Sequence, residues 1–446
     1  MSWWGWLFGK SSESEGLEPF DLDTPLVNLG GKGLDPWTLR DACEGVSIFG
    51  ATGSGKSSGS GQLFAKTFIQ AGYGGLVLTV KNDERQTWER YCAECGCSDN
   101  LIVVSPESGA KINILDYELN RPGAGAGITE NLVTLFYSLV EVADKHSGGG
   151  KSSGFWERAV KQILRNAIEL LNLARGKISI RDIYDLINSA PISIEEIQNK
   201  TWQENSFLLE MLNTAEEKVL TPRQQQDLLI TGQYWLSEYP TLAEKTRSII
   251  VSSFTAIADT FLRGHLAEMF TTTTNIVPEL SHEGAIILLD MPIKEWGAIG
   301  LYGQMIIKYI WQKAVERRNI KKNNRPVFLW IDEAQYFISK YDMLYATTSR
   351  SNRGITVMLT QNINNYYSML AADGNGRSLT ESFLGNLNTK IFHSNGDTAT
   401  NQYAADLIGK DEKFKTTHSK SVNYKRDSIF SSGHKSKNTS ISSEYD

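Results

Sequence analysis

The chain has 446 residues, 41% of them hydrophobic and 10% aromatic, enough to bury two or three sizeable cores and to exclude an intrinsically disordered protein. A formal net charge of −6 excludes a uniformly basic surface, so any nucleic-acid contact has to come from a local patch or from the inner lining of an oligomer. Four cysteines (Cys43, Cys92, Cys95, Cys97) form no disulfide framework, and with no cleavable signal in view a reducing, cytoplasmic setting is expected.

In chain order, residues 1–28 form a tryptophan-containing segment with Trp3, Trp4 and Trp6 near its start. It is far shorter than the ~20 apolar residues that span a bilayer. Tryptophan favours interfaces, so two expectations stand: docking at a membrane surface or on a membrane-associated partner, or packing onto its own domain.

Residues 29–117 alternate strand and helix signals in the manner of a parallel α/β sheet. The apolar run Val46, Ile48, Phe49 leads into Gly50, Ala51, Thr52, Gly53, Ser54, Gly55, Lys56 and Ser57, a complete G-x-x-x-x-G-K-S loop, followed by Ser58 and a helical pattern (Leu63, Phe64, Thr67, Phe68). Glycines let backbone N–H groups curl around phosphate oxygens, and the helix adds its positive N-terminal end. Lys56 is expected to reach the β- and γ-phosphates of ATP, and the Ser57 hydroxyl to ligate Mg²⁺. The similar run Gly148-Gly-Gly-Lys-Ser152 lacks the first glycine, having Lys145 in its place, and reads as a loop tip. Further strands are expected at 75–80 and 101–104. The thiols of Cys92, Cys95 and Cys97 read as helix and turn residues, because zinc wants four ligands and no pair follows at finger spacing.

From 118 to 270 the apolar period becomes 3.6, with Ile128, Leu132, Leu135, Phe136, Leu139 and Val140, then Val160, Ile163, Leu164, Ala167, Ile168 and Leu171. This predicts an all-helical domain. Strand signals return over 271–409, at 285–289, 327–331, 355–360 and 390–392, so the helical block is an insertion into one nucleotide-binding domain. The run Arg317, Arg318, Lys321, Lys322, Arg325 is a candidate DNA patch or a solvated helix end. Residues 410–446 are rich in Ser, Thr and Lys and read as a flexible tail or a polyanion contact.

Hydrolysis needs more than phosphate binding. The run 327–331 ends in Asp332-Glu333, a Walker B pattern in which Asp332 holds Mg²⁺ and Glu333 polarises the attacking water. The strand over 355–360 ends at Gln361, placed beside Walker B to sense the γ-phosphate. Ahead of it Arg350 and Arg353 offer guanidinium groups that can act on a neighbouring subunit's phosphates.

Together the loop at 50–57, Val80-Lys-Asn-Asp-Glu84, Asn113-Ile-Leu-Asp116, Phe155-Trp-Glu-Arg-Ala159, Ile331-Asp-Glu-Ala-Gln335, the Arg350-to-Gln361 segment and Asp397-Thr-Ala399 resemble the coupling-protein ATPases of conjugation and type IV secretion. These are the TraG/TraD type, within the FtsK/HerA RecA-like motors. The resemblance spans roughly 29–409. It implies an α/β fold, a RecA-like P-loop NTPase with a mainly parallel central sheet interrupted by an all-α inserted domain. It also implies a homo-hexamer around a channel and ATP-driven movement of DNA or nucleoprotein, with relaxase or secretion-channel components as partners. Arg350 becomes the trans-acting finger and Gln361 the sensor. Alternatives are a translocase unconnected to secretion and a cargo receptor with little hydrolysis. Membrane-anchored members begin with transmembrane helices and members continue beyond the Ser/Thr-rich segment, so a compact or shortened variant, anchored through an interface or a partner, is expected.

Overall fold

The computed structural model describes residues 20–29, 36–123, 125–146, 154–371, 375–410, 412–423 and 434–445. The Trp3, Trp4 and Trp6 cluster and the 148–152 run lie outside them. The chain divides into two compact units, Met1–Ser394 and Asn395–Asp446.

The first unit is built on seven strands: β3 (Val46–Phe49), β4 (Gly74–Leu78), β5 (Leu101–Val104), β6 (Ile286–Leu289), β7 (Val327–Ile331), β8 (Gly354–Thr360) and β9 (Thr389–Phe392), preceded by a small antiparallel pair, β1 (Pro25–Val27) and β2 (Trp37–Thr38). Their order is β5-β6-β4-β7-β8-β3-β9 and every pairing in this sheet is parallel. A parallel sheet is covered on both faces, which is why β7 reads Val-Phe-Leu-Trp-Ile without alternation and is buried throughout. On one face Phe328 stacks on Trp88 with ring centroids 5.8 Å apart and meets Phe68 at 5.7 Å. Gly75 makes room for it, since a Cβ there would stand 2.5 Å from the Phe328 ring.

Between β5 and β6 every regular element among the described residues is helical. The period read from sequence is the packing period: Ile163, Leu164, Ala167, Ile168 and Leu171 on the helix Gly154–Arg175 are fully buried. No helix among the described residues is long and apolar enough to cross a membrane. Cys92 belongs to the core, and burial pushes its thiol up to about 11.

On the other face of the sheet lies the helix Ile293–Arg317, which carries two buried polar clamps. Gln304 accepts from the Thr79 N–H at 2.7 Å and donates to the Thr79 and Met291 carbonyls at 2.9 and 2.8 Å, fixing the chain just past β4. Lys308 donates to the Phe337 carbonyl and to Asp342, each at 2.6 Å, and Asp342 also accepts from Gln312 and from the Ser339 amide and hydroxyl. Both members of the pair are about 1% exposed.

In the second unit, the helix Thr398–Ile408 is capped by Asp397, and β10 (Glu412–Asn423) pairs antiparallel with β11 (His434–Tyr445) from Glu412↔Tyr445 to Asn423↔His434. Composition had suggested a flexible tail from residue 410. The structure departs from that because an antiparallel ladder satisfies backbone donors and acceptors pairwise and needs no apolar face to do so.

Removing one partner of a buried ion pair strands the other charge. Asp342→Ala is therefore expected to destabilise the first unit by about 3–5 kcal/mol in urea denaturation. His282 is buried, and burial with help from Arg318 pushes its imidazole down to about 4 from 6.5. The unfolded chain binds a proton there that the folded chain refuses, so stability falls as pH drops from about 6.5 to about 4. His282→Gln should remove roughly 2 kcal/mol of that loss, read from denaturation of both proteins at pH 7 and pH 4.5.

Candidate functional site

In a parallel sheet every strand delivers its carboxyl end to one edge. Gly50 follows β3, Lys81 closely follows β4, Asp332 follows β7 and Gln361 follows β8 at that edge. Register fixes their levels: Phe49 pairs with Thr360, and Ile331 with Met358.

The phosphate loop is held by backbone bonds. Gly50 donates to the Thr360 carbonyl at 3.2 Å, Ala51 to Ser394 at 3.0 Å and Ser54 to Ala51 at 3.1 Å. Gly53 and Gly55 take φ of 77° and 88°, conformations that glycine reaches without steric penalty. The following helix opens with a wide turn in which the Gly61 N–H reaches the Lys56 carbonyl at 2.8 Å.

Lys56 is 6% exposed, and its ammonium lies 3.5 Å from Glu333. Ser57 donates to Asp332 Oδ2 at 2.9 Å, joining positions 275 residues apart. Glu333 sits in left-handed backbone, φ 55° and ψ 54°, with its N–H donating to Asp332 Oδ1 at 3.0 Å. Gln335 donates to Glu333 Oε2 at 2.9 Å, and the Thr360 hydroxyl donates to the Gln335 side-chain oxygen at 2.9 Å, a chain of bonds from the Glu333 carboxylate to the end of β8. Burial works to raise Glu333, but the Gln335 amide and the Lys56 and Lys81 ammoniums outweigh it and hold the carboxyl below its ordinary value. That state suits a carboxylate that must accept a hydrogen bond from water.

Lys56, Ser57 and Glu333 line a cleft of about 380 Å³ with Thr52, Gly53, Gly55, Ser58, Gln361 and also Lys81, Lys294, Gln335 and Tyr336, and Asp332 adjoins it through Ser57. The last four were given no role in the sequence reading. Lys81 and Gln335 carry a signal in principle, since each lies within a few residues of the carboxyl end of a central strand. Lys294, which donates to the Tyr336 hydroxyl at 3.2 Å, carries none.

The donor chemistry fits nucleotide and magnesium. Ser54 Oγ is buried without a partner in the loop, Gly50 is a cradle in which a Cβ would stand 2.4 Å from that oxygen, and Ser57 and Asp332 together present hard oxygen ligands.

The structure does not bring Arg350 into this cleft. It precedes β8, so it lies at the amino edge of the sheet, about 20 Å from the carboxyl edge across the strand's seven residues. There it pairs with Glu44 at 2.7 Å while remaining half exposed. The run from Arg317 to Arg325 is largely absorbed by the protein: Arg317 binds Glu118 at 2.8 Å, Arg318 the Asn323 and Arg325 carbonyls, and Arg325 the Gly72 carbonyl. Lys321 and Lys322 are left facing solvent.

Residues 326–445 match the family model TraG-D_C, described as the TraM recognition site of TraD and TraG. Over that segment the chain is similar to TraD and TraG. That segment begins at β7 and takes in the Asp332-Glu333 pair, β8, β9 and the second unit. None of the curated proteins matches the chain. Among solved structures it is similar to the bacterial conjugative coupling protein TrwBdeltaN70 in its trigonal form with sulphate, at 15% identity and TM-score 0.56 over 90% of this chain and 86% of that one. It is also similar to the plasmid coupling protein TrwB with the non-hydrolysable ATP analogue ADPNP (15% identity, TM-score 0.53, 89% and 86% coverage) and with ADP and Mg²⁺ (14%, 0.52, 89% and 86%). At this identity the likeness shows the fold, which is RecA-like.

Gly50→Ala is expected to push the loop off its seat and weaken nucleotide binding more than tenfold with the circular dichroism spectrum unchanged, because the added methyl group meets Ser54 and, at 2.8 Å, the Cβ of His393.

Proposed function

We propose that the chain is an ATP-hydrolysing motor of the conjugative coupling type, moving DNA or nucleoprotein toward a secretion channel. The observation that carries this reading is the convergence of Lys56, Ser57, Asp332, Glu333 and Gln361 at one cleft from two stretches of chain 275 residues apart. Lys56 binds the terminal phosphates and Ser57 with Asp332 holds Mg²⁺, which supplies charge neutralisation on the phosphates. Glu333 orients and polarises the attacking water, its carboxylate aimed by Gln335. Gln361 reports the state of the γ-phosphate to β8.

Support comes from the likeness in fold to TrwB, solved with ADPNP and with ADP and Mg²⁺. The inserted helices, read from sequence over 118–270, interrupt the nucleotide-binding domain as expected of such a motor. A ring of six subunits is the assembly expected of such a motor, and the position of Arg350 supports a role in trans: a guanidinium at the amino edge lies a sheet's height from its own phosphates and is left to serve a neighbour's. The match over 326–445 adds a TraM-type partner to the relaxase and channel components expected from sequence. DNA is held through its phosphates, which makes binding strongly salt-dependent with little sequence preference.

The test is ATP turnover against protein concentration, with and without single- and double-stranded DNA. Turnover should rise with both, vanish in Lys56→Ala, and stop in Glu333→Gln with ATP binding retained. Arg350→Ala alone should lose at least a hundredfold in turnover. Mixing it with Lys56→Ala should restore part of the rate, because an intact site then meets an intact arginine. Turnover indifferent to DNA, or no recovery on mixing, counts against the motor and the ring respectively.

A further inference from the structure

The chain just past β4 is held with unusual care for a surface turn. Gln304 clamps Thr79 from below, and the Glu84 carboxylate accepts from the Val80 and Lys81 N–H groups at 2.5 and 3.0 Å. What this rigid turn presents is the Lys81 side chain. Its backbone is fixed, its side chain is 41% exposed, and its ammonium lies 3.2 Å from Asp332 Oδ2 and 3.3 Å from Glu333 Oε1.

Each of those oxygens has a second partner. Asp332 Oδ2 also takes the Ser57 hydroxyl, and Glu333 Oε1 also takes Lys56 at 3.5 Å. Lys81 thus sits among the groups assigned above to Mg²⁺ and to the attacking water. An ammonium and a divalent cation at one carboxylate oxygen repel each other at ligand distance, so each weakens the other's hold there. Lys81 and Mg²⁺ compete at Asp332. The side chain that yields this oxygen stays in the same cleft, on a long flexible stem anchored at a fixed Cα, beside the loop that receives the phosphates.

We propose that Lys81 is a terminal-phosphate sensor. It neutralises Asp332 and Glu333 when paired with them, and it transfers to a γ-phosphate oxygen when the cleft holds Mg²⁺ and a nucleoside triphosphate. The transfer frees Glu333 Oε1 to take the water. A diphosphate offers Lys81 no γ-phosphate oxygen, so the residue discriminates ATP from ADP. This role rests on the ATP reading of the cleft, and it makes Lys81 a ligand of the substrate in addition to Lys56.

The experiment is equilibrium binding of ADPNP and of ADP, each with Mg²⁺, to the full chain and to Lys81→Gln and Lys81→Arg. A charge-assisted hydrogen bond to phosphate corresponds to about 10- to 100-fold in affinity. Lys81→Gln should lose that much for ADPNP while ADP binding holds or tightens, and the Mg²⁺ concentration needed to support ADP binding should fall because the competing ammonium is gone. Lys81→Arg should keep most of the preference for triphosphate. An ADPNP-to-ADP affinity ratio in Lys81→Gln equal to that of the parent overturns the proposal, as does an equal loss in Lys81→Arg. A parent chain that binds neither nucleotide overturns the ATP reading itself, and the sensor with it. Retained ADP binding separates a lost sensor from a lost fold.

Discussion

Strand β8 lies between the strand that carries the phosphate loop and the strand that carries the carboxylates, and the spacing this imposes decides what each side chain can reach. Neighbouring strands stand ~4.8 Å apart, so the ends of β3 and β7 are separated by roughly 10 Å. Neither Lys56 nor Ser57 could bridge that distance from within the sheet. The loop helix closes it by lying down over the end of β8: a Cβ at Gly61 would stand 3.2 Å from Leu359 and 3.6 Å from Trp330. The hydroxyl of Ser57 then meets Asp332 across the top of the intervening strand, and that strand's own terminal residues, Thr360 and Gln361, lie beneath the meeting point.

The same arrangement explains why the site can signal. Thr360 holds Gln335, and Gln335 holds Glu333, so a displacement at the phosphates has a continuous hydrogen-bonded route into a strand that runs the full depth of the sheet. At the far end of that strand is Arg350. Gln361 and Arg350 therefore flank the two ends of one strand, and under the proposed ring β8 would link one subunit's cleft to the surface that faces another.

Much of this is legible in the sequence because it depends on local pattern. A G-x-x-x-x-G-K-S loop after an apolar run, an acidic pair after another, and a change of period from strand to helix are properties of short windows. The placement of Arg350 was legible too, since a residue that precedes a strand and one that follows it must lie at opposite edges. The rest depends on who neighbours whom. Lys81 acquires meaning only when β4 is seen to pair with β7, and Gln304 only when its helix is seen to cross the end of β4. Arg317, Arg318 and Arg325 look like a basic patch until their carbonyl and carboxylate partners, brought in from Gly72 and Glu118, take them out of solvent. The strand pair after residue 411 was not legible for a different reason: its pairing is a backbone affair that Ser- and Thr-rich side chains neither demand nor forbid.

Glu333 adopts a backbone conformation that a side chain bearing a Cβ reaches at an expense of about 1–2 kcal/mol. Glycine or asparagine would sit there more comfortably, so the fold and the chemistry make opposite demands on this position. The buried strands on either side, and the Lys308–Asp342 clamp that pins the chain shortly afterwards, are what let the protein tolerate the difference. Selection for heat resistance alone would favour glycine or asparagine here, gaining a firmer scaffold and, under the proposed function, losing the carboxylate. Its persistence in a lineage would therefore be a record of turnover being used, written in strain and not in contacts.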